Sequence, residues 1–193
     1  MSILLLGGSP SATSSGARLL QHIGDKLSAH GHRTTSLQVR DLPAQALLHA
    51  DLSHPAIVRA VGQVSDAEAI VIVTPVYKAS YAGILKAFLD LLPQDGLDGK
   101  LVLPLATGGS AAHMLVLDYA LRPVLASLSA RAILPGIYAT CDQLPWTLDA
   151  GLDPAAPIAA RIARGVAQLS TDLLALHRRQ ASESPFTLPA LVA

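Results

Sequence analysis

A single cysteine, Cys141, stands among 193 residues, so no intrachain disulfide can form and a disulfide-stapled secreted design is excluded. Neither sign of charge is in excess, with 14 Lys plus Arg against 14 Asp plus Glu. A chain without a net field has no bias toward nucleic acid or an anionic membrane, and its partners are expected to be small molecules or further subunits. Long apolar runs are also missing. Nothing nears the ~18 uninterrupted apolar residues of a spanning helix, and Met1-Ser2-Ile3 lacks the basic segment that opens a signal peptide. The expected location is cytoplasmic. No G-x-G-x-x-G follows a strand, no G-x-x-x-x-G-K-[ST] occurs and no G-x-S-x-G elbow is present, which removes the dinucleotide fingerprint, the P-loop and the usual hydrolase nucleophile. No metal site is nominated either. His30 and His32 fall in a turn, and His49 and His54 in a loop, none at ligand spacing, so all four are expected to be solvated. Cys141 lacks the arginine and glycines of a phosphatase cradle and reads as a half-buried thiol.

What the chain does have is apolar bulk: 51% of residues are hydrophobic and 15% charged, enough for one packed domain. Five short aliphatic runs recur at Ile3 to Leu6, Thr34 to Val39, Ala69 to Thr74, Leu101 to Ala106 and Ala132 to Ala139. Helix-period segments separate them near Arg18 to His30, Pro55 to Ser65, Gly83 to Leu92, Ala111 to Leu128 and Pro154 to Arg178. Strands apolar throughout are buried on both faces, as in a parallel sheet covered by helices. The expectation is a three-layer α/β/α domain over residues 1–180 with a five-stranded parallel sheet. Gly31 is placed to close the first helix, and residues 181–193, with two prolines and no period, read as a tail.

In such sheets the ligand lies beyond the strand carboxyl ends where the order reverses, so the loops after the first, third and fourth strands matter most. The first is Gly7-Gly8-Ser9-Pro10-Ser11-Ala12-Thr13-Ser14-Ser15-Gly16, glycines and hydroxyls at a helix mouth. Unpaired N–H groups and the helix dipole there favour a phosphate. The loop after strand three runs Thr74-Pro75-Val76-Tyr77-Lys78-Ala79-Ser80-Tyr81, and that after strand four Thr107-Gly108-Gly109-Ser110. A cleft with one phosphate end and one flat, backbone-rich end suits a flavin mononucleotide.

The segment Ala111 to Leu128 carries Met114, Leu115, Val116, Leu117, Leu121, Val124, Leu125 and Leu128, more apolar circumference than one sheet face needs. An oligomer interface is expected there. Pro123 cannot donate to the Tyr119 carbonyl and its ring crowds it, so a kink or a π-bulge is expected around Tyr119.

Gly8-Ser9-Pro10, the run from Ala69 to Lys86 and the run from Leu97 to Leu128 resemble the NADPH-dependent FMN reductases, and more narrowly the reductase partner of two-component alkanesulfonate monooxygenases. The resemblance spans about residues 3 to 140. It implies a flavodoxin-like fold, hydride passage from NADPH to FMN, and reduced FMN delivered to a monooxygenase. It further implies that Ser9, Ser11, Ser14, Ser15 and Gly16 surround the phosphate, that Pro75, Val76, Tyr77 and Lys78 border the ring and ribityl chain, and that Gly108, Gly109 and Ser110 face the pyrimidine side. Dimers and tetramers through the Tyr119 region are implied as well. Where the family often carries an arginine two positions after the first serine, this chain has Ser11. The phosphate is then met by N–H groups, hydroxyls and the helix end, with Arg18 as a substitute if its side chain turns back. No catalytic acid, base or nucleophile is named, since hydride transfer between stacked rings needs alignment rather than proton chemistry. A flavodoxin-type carrier and a quinone or azo reductase are the competing readings on the same scaffold.

Overall fold

The computed structural model describes residues 1–183, with side chains through 179. The chain runs β1 (Ser2–Gly7), α1 (Ser15–Ala29), β2 (Arg33–Gln38), α2 (Ala44–Leu48), α3 (Pro55–Asp66), β3 (Ala69–Tyr77), β4 (Ser80–Tyr81), α4 (Gly83–Leu89) and β5 (Leu101–Gly108). A π-helical segment, Leu117–Leu121, then leads into α5 (Arg122–Ser127), β6 (Ala132–Ile133), β7 (Ile137–Thr140), β8 (Trp146–Thr147), β9 (Gly151–Leu152) and α6 (Ala156–Glu183). The helix α6 passes the boundary expected at residue 180, and residues 184–193 of the expected tail lie outside the described residues.

The parallel sheet is ordered β2-β1-β3-β5-β6, with β7 also on β5 and the two-residue β4 antiparallel to β3. Its strands number seven rather than the five read from the sequence. One excess strand is the β3-β4 hairpin. The other arises because the edge strand expected over Ala132 to Ala139 is broken into β6 and β7. Leu134 N–H donates to Val102 O at 2.8 Å, so even-numbered β5 residues face this edge, and Pro104, two residues on, has no N–H to offer it. The edge strand lifts off opposite that gap and rejoins at Leu105↔Ile137.

Alternate residues of each central strand serve different layers. Leu4, Leu6, Ile70 and Ile72 pack under α3, α4 and the π-helical segment. Ile3, Leu5, Val71 and Val73 pack with Leu19, Ile23, Ile162 and Leu169 of α1 and α6. Gly31, at φ 83°, closes α1: its N–H bonds Ser28 O and that of His32 bonds Leu27 O, a left-handed closure that glycine adopts without a Cβ penalty. His32 itself corrects the expectation of solvation. It is 7% exposed and hydrogen-bonds Ser170 Oγ through Nε2 at 2.9 Å, tying β2 to α6. His54 caps α3, its Nδ1 accepting from Ala56 N–H at 3.1 Å.

The segment from Ala111 to Leu128 is not one helix. A 3-10 turn at Ala111–His113 precedes the π-helical Leu117–Leu121, and Arg122 N–H donates to Leu117 O, five residues back. This is the widened register that Pro123 predicts.

Candidate functional site

The strand order reverses between β1 and β3, so the crevice lies beyond their carboxyl ends. Three contacts draw the flanking loops together there. The Gly8 N–H bonds Val73 O at 2.8 Å, holding the first loop to β3. A methyl group on Gly16 would lie 3.3 Å from both Thr107 Oγ1 and Val73 Cγ1, so the first turn of α1 touches the end of β5. A methyl on Gly108 would strike the Tyr138 hydroxyl and sit 3.5 Å from Val76 Cβ. Glycine at 16 and 108 therefore sets how closely the loops approach.

The first loop is self-bonded. Ser9 is buried, and its hydroxyl accepts from Ser11 N–H and donates to Ser11 O, both at 3.2 Å. Ser14 Oγ accepts from Ala17 N–H at 3.1 Å, an N-cap that leaves the N–H groups of Ser15 and Gly16 as the helix donors without intrahelical partners. Ser11 stands exposed at the tip, with Oγ 3.5 Å from Thr13 Oγ1. Arg18 does not turn back to the loop: its guanidinium carbon lies 4.0 Å from the Trp146 ring centroid, a cation–π pair. An anion at this helix mouth meets N–H groups, hydroxyls and the dipole. That donor set fits a phosphate.

At the end of β3, which runs three residues past the strand expected to stop at Thr74, Pro75 is buried, Val76 half-buried and Tyr77 exposed, and Lys78 and Ala79 of the following turn are exposed. Lys78 and Ala79 have φ of 49° and 62°, two consecutive left-handed residues that make the tight β3-β4 turn and cost about 1–2 kcal/mol each without glycine. The turn is held from beneath by Thr74, whose buried hydroxyl accepts from Ala82 N–H at 3.0 Å and donates to Pro75 O at 3.1 Å. Burial pushes the Tyr81 phenol pKa up, with Asp90 adding to the rise and Lys86 opposing it.

β5 ends at the buried Gly108, and Gly109 and Ser110 beyond it are exposed. Ser110 Oγ accepts from Ala112 N–H at 3.2 Å, starting the 3-10 turn. Beneath it the Tyr138 hydroxyl donates to Ser110 O at 2.6 Å. Burial raises the Tyr138 pKa, with Cys141 adding to the effect, so the phenol keeps its donor proton. Cys141 is exposed rather than half-buried.

The structure thus gathers Ser9, Ser14 to Gly16, Pro75 to Tyr77 and Gly108 to Ser110 along one sheet edge, and leaves Ser11 and Lys78 at exposed tips. Sequence reasoning missed Thr74, Thr107 and Tyr138 as site residues. The available signal for the two threonines was a hydroxyl buried near the carboxyl end of an apolar strand, one residue before Pro75 and Gly108. Asp90 and Asp118 are surface partners of Lys86 and Arg122, at 2.6 and 3.4 Å.

An α/β/α sandwich of this order, with a phosphate mouth after β1 and backbone-rich loops after β3 and β5, is a flavodoxin-like protein. A flavodoxin from the domain Archaea superposes with TM-score 0.60 at 10% identity over 90% of this chain and 99% of its own, which speaks to the fold alone. The chain belongs to the NADPH-dependent FMN reductase family, whose pattern matches residues 1–143. It is 43% identical to an FMN reductase (NADPH) of Pseudomonas putida KT2440, over 97% of this chain and 94% of that one. An NADH:FMN oxidoreductase in its apo form superposes with TM-score 0.81 at 38% identity, covering 89% of each chain.

Proposed function

We propose that this protein reduces FMN with NADPH and releases reduced FMN to a flavin-dependent monooxygenase of the alkanesulfonate type. The observation that carries the reading is the convergence of the three loops at the β1/β3 reversal, through Gly16 against Thr107 and Gly108 against Val76 and Tyr138. Bound FMN supplies the ring that takes up and gives off hydride. The chain's own work is positioning. Ser9, Ser11, Ser14, Ser15 and Gly16 hold the phosphate through N–H groups and hydroxyls. Pro75, Val76, Tyr77 and Lys78 border the ring, and Gly108, Gly109 and Ser110 bring backbone to its pyrimidine side. Alignment and exclusion of water suffice for hydride passage between stacked rings.

The upper face stays open. Tyr77, at the end of β3, is 50% exposed and Tyr81 is half-buried, so a nicotinamide has room to stack where a carrier would close the flavin between two rings. Residues 1–180 act as the catalytic domain in this reading. Met114, Leu115 and Tyr119, each more than half exposed, are the surface through which copies assemble, and the enzyme works in the cytoplasm. Among the described residues no helix is long and apolar enough to cross a membrane.

The test is loss of nicotinamide absorbance on mixing purified protein with NADPH, with and without added FMN. Flavin-dependent oxidation is expected. Protein that binds FMN and oxidises no NADPH is a carrier.

A further inference from the structure

The break between β6 and β7 leaves more than a gap in the edge strand. Carbonyls in and beside it are taken by arginines: Arg122 donates to Ile133 O and Leu134 O at 3.3 and 3.4 Å, and Arg161 to Tyr138 O and Gly136 O, both at 3.4 Å. A cavity of about 340 Å³ opens between the break and α6, lined by Pro135, Gly136, Arg161, Arg164 and Gln168 among others. Its lining holds two guanidinium groups and no carboxylate.

Arg161, Arg164 and Gln168 stand at i, i+3 and i+7, one face of α6. A methyl on Gly165 would lie 2.9 Å from Ile137 Cδ1, so α6 sits tight on β7 and the groove has a firm wall. Arg161 is oriented by its two carbonyl bonds and keeps further N–H groups of its fork. Arg164 is exposed and makes no ion pair among the described residues. The acidic groups nearby are occupied: Asp118 pairs with Arg122 at 3.4 Å, and Asp172 accepts from Gln168 Nε2 at 2.8 Å.

A second cavity, of about 210 Å³, shares Gly136 and Arg161 with the first and reaches Ala111, Tyr138 and Thr140. Ala111 adjoins the loop assigned to the pyrimidine side. Arg161 lines both cavities, and the second, whose lining also includes Asp118, lies toward the loop after β5. At about 3.3 Å per residue, Gly136 lies roughly 13 Å below Thr140, too far for a group on the flavin ring and within the span of an extended dinucleotide.

We propose that this groove holds the adenosine 2′-phosphate of NADPH, with Arg164 and the spare N–H groups of Arg161 as its ligands. Two arginines in a lining that holds no carboxylate match a phosphomonoester dianion, the one group that separates NADPH from NADH. The inference rests on the proposed use of a nicotinamide dinucleotide. It assigns the choice between the two to residues beyond 143, where the shared family pattern ends.

The test has a kinetic and a binding arm. In Arg164→Ala the ratio of kcat/KM for NADPH to that for NADH falls about tenfold, through KM, and Arg164→Lys restores part of it. An unchanged ratio overturns the proposal. By calorimetry, wild-type protein binds adenosine 2′,5′-bisphosphate at least tenfold tighter than 5′-AMP, and the gap closes in Arg164→Ala. Equal affinities in the wild type overturn it, as does a variant that loses affinity for excess FMN instead, which makes the flavin phosphate the ligand. A wild type that oxidises neither nicotinamide defeats the proposed function, while the binding arm still decides the groove.

Discussion

The Tyr138 hydroxyl donates to the Ser110 carbonyl at 2.6 Å, fastening the loop after β5 to the neighbouring strand. Tyr138→Phe removes that bond and little volume. A net loss of about 0.5–1.5 kcal/mol is expected, seen as a Tm lower by a few degrees and as weaker FMN binding by fluorescence titration. Unchanged FMN affinity would detach this loop from the flavin.

The two serines at the α1 mouth should separate by ligand. Ser14 caps the helix through Ala17 N–H, so Ser14→Ala costs about 1 kcal/mol of stability in urea denaturation. Ser15→Ala spares the cap. If its hydroxyl bonds a charged phosphate, about 1.5–3 kcal/mol of FMN binding is lost, with riboflavin binding unchanged. Equal weakening of both flavins would move the phosphate elsewhere.

Ala79 holds φ 62° in the turn after β3. Ala79→Gly relieves that strain and raises stability by about 0.5–1.5 kcal/mol, readable as a higher denaturation midpoint. A lower midpoint would mean that the alanine methyl packs in a way that exposure of this residue gives no sign of.

Acid should weaken the fold before any carboxylate titrates. Burial, then the charges of the N-terminus and His30, hold the His32 pKa below its ordinary 6.5, against the pull of Glu68. His22 is lowered too, by burial and Lys26, with Asp25 opposing. As pH falls below 6.5 the unfolded chain takes up these protons first, so stability is full above that value and declines until the lowered folded-state pKa is passed. Denaturation midpoints between pH 7 and about 5 should therefore fall, and less steeply in His32→Gln. Parallel pH curves for the two proteins would remove His32 as a cause.

Tyr119 is 78% exposed on the π-helical segment. Tyr119→Ala should lower the molecular mass in solution by light scattering and reduce flavin-dependent turnover, with the circular dichroism of the fold retained. A wild type monomeric at micromolar concentration would rule out the interface.

The central strands were legible because both-face burial writes an unbroken aliphatic run, as in Ala69 to Val73. The edge strand was read as unbroken although Pro135-Gly136 is a local breaking signal, and the part played by Pro104 on the adjacent strand is visible only once the register is known. Two-residue strands such as Trp146–Thr147 carry no period, and α2 is a single short turn that the loop composition around His49 hid. At the site, loop chemistry pointed to Ser9, Ser14 and Gly108 because glycine and hydroxyl content is local. Thr107 and Tyr138 acquire their roles by closure across strands. Pro123 was the exception, a single residue whose covalent ring marked the irregularity around Tyr119 and left kink or π-bulge open, of which the structure has the π-helical turn.

The β8-β9 hairpin begins three residues past the end of the shared family pattern, yet Trp146 rests on Arg18 in the first turn of α1. Leu152 of the same hairpin packs with the apolar layer of Leu19 and Ile23, so α1 is braced from outside the sheet as well as from beneath it.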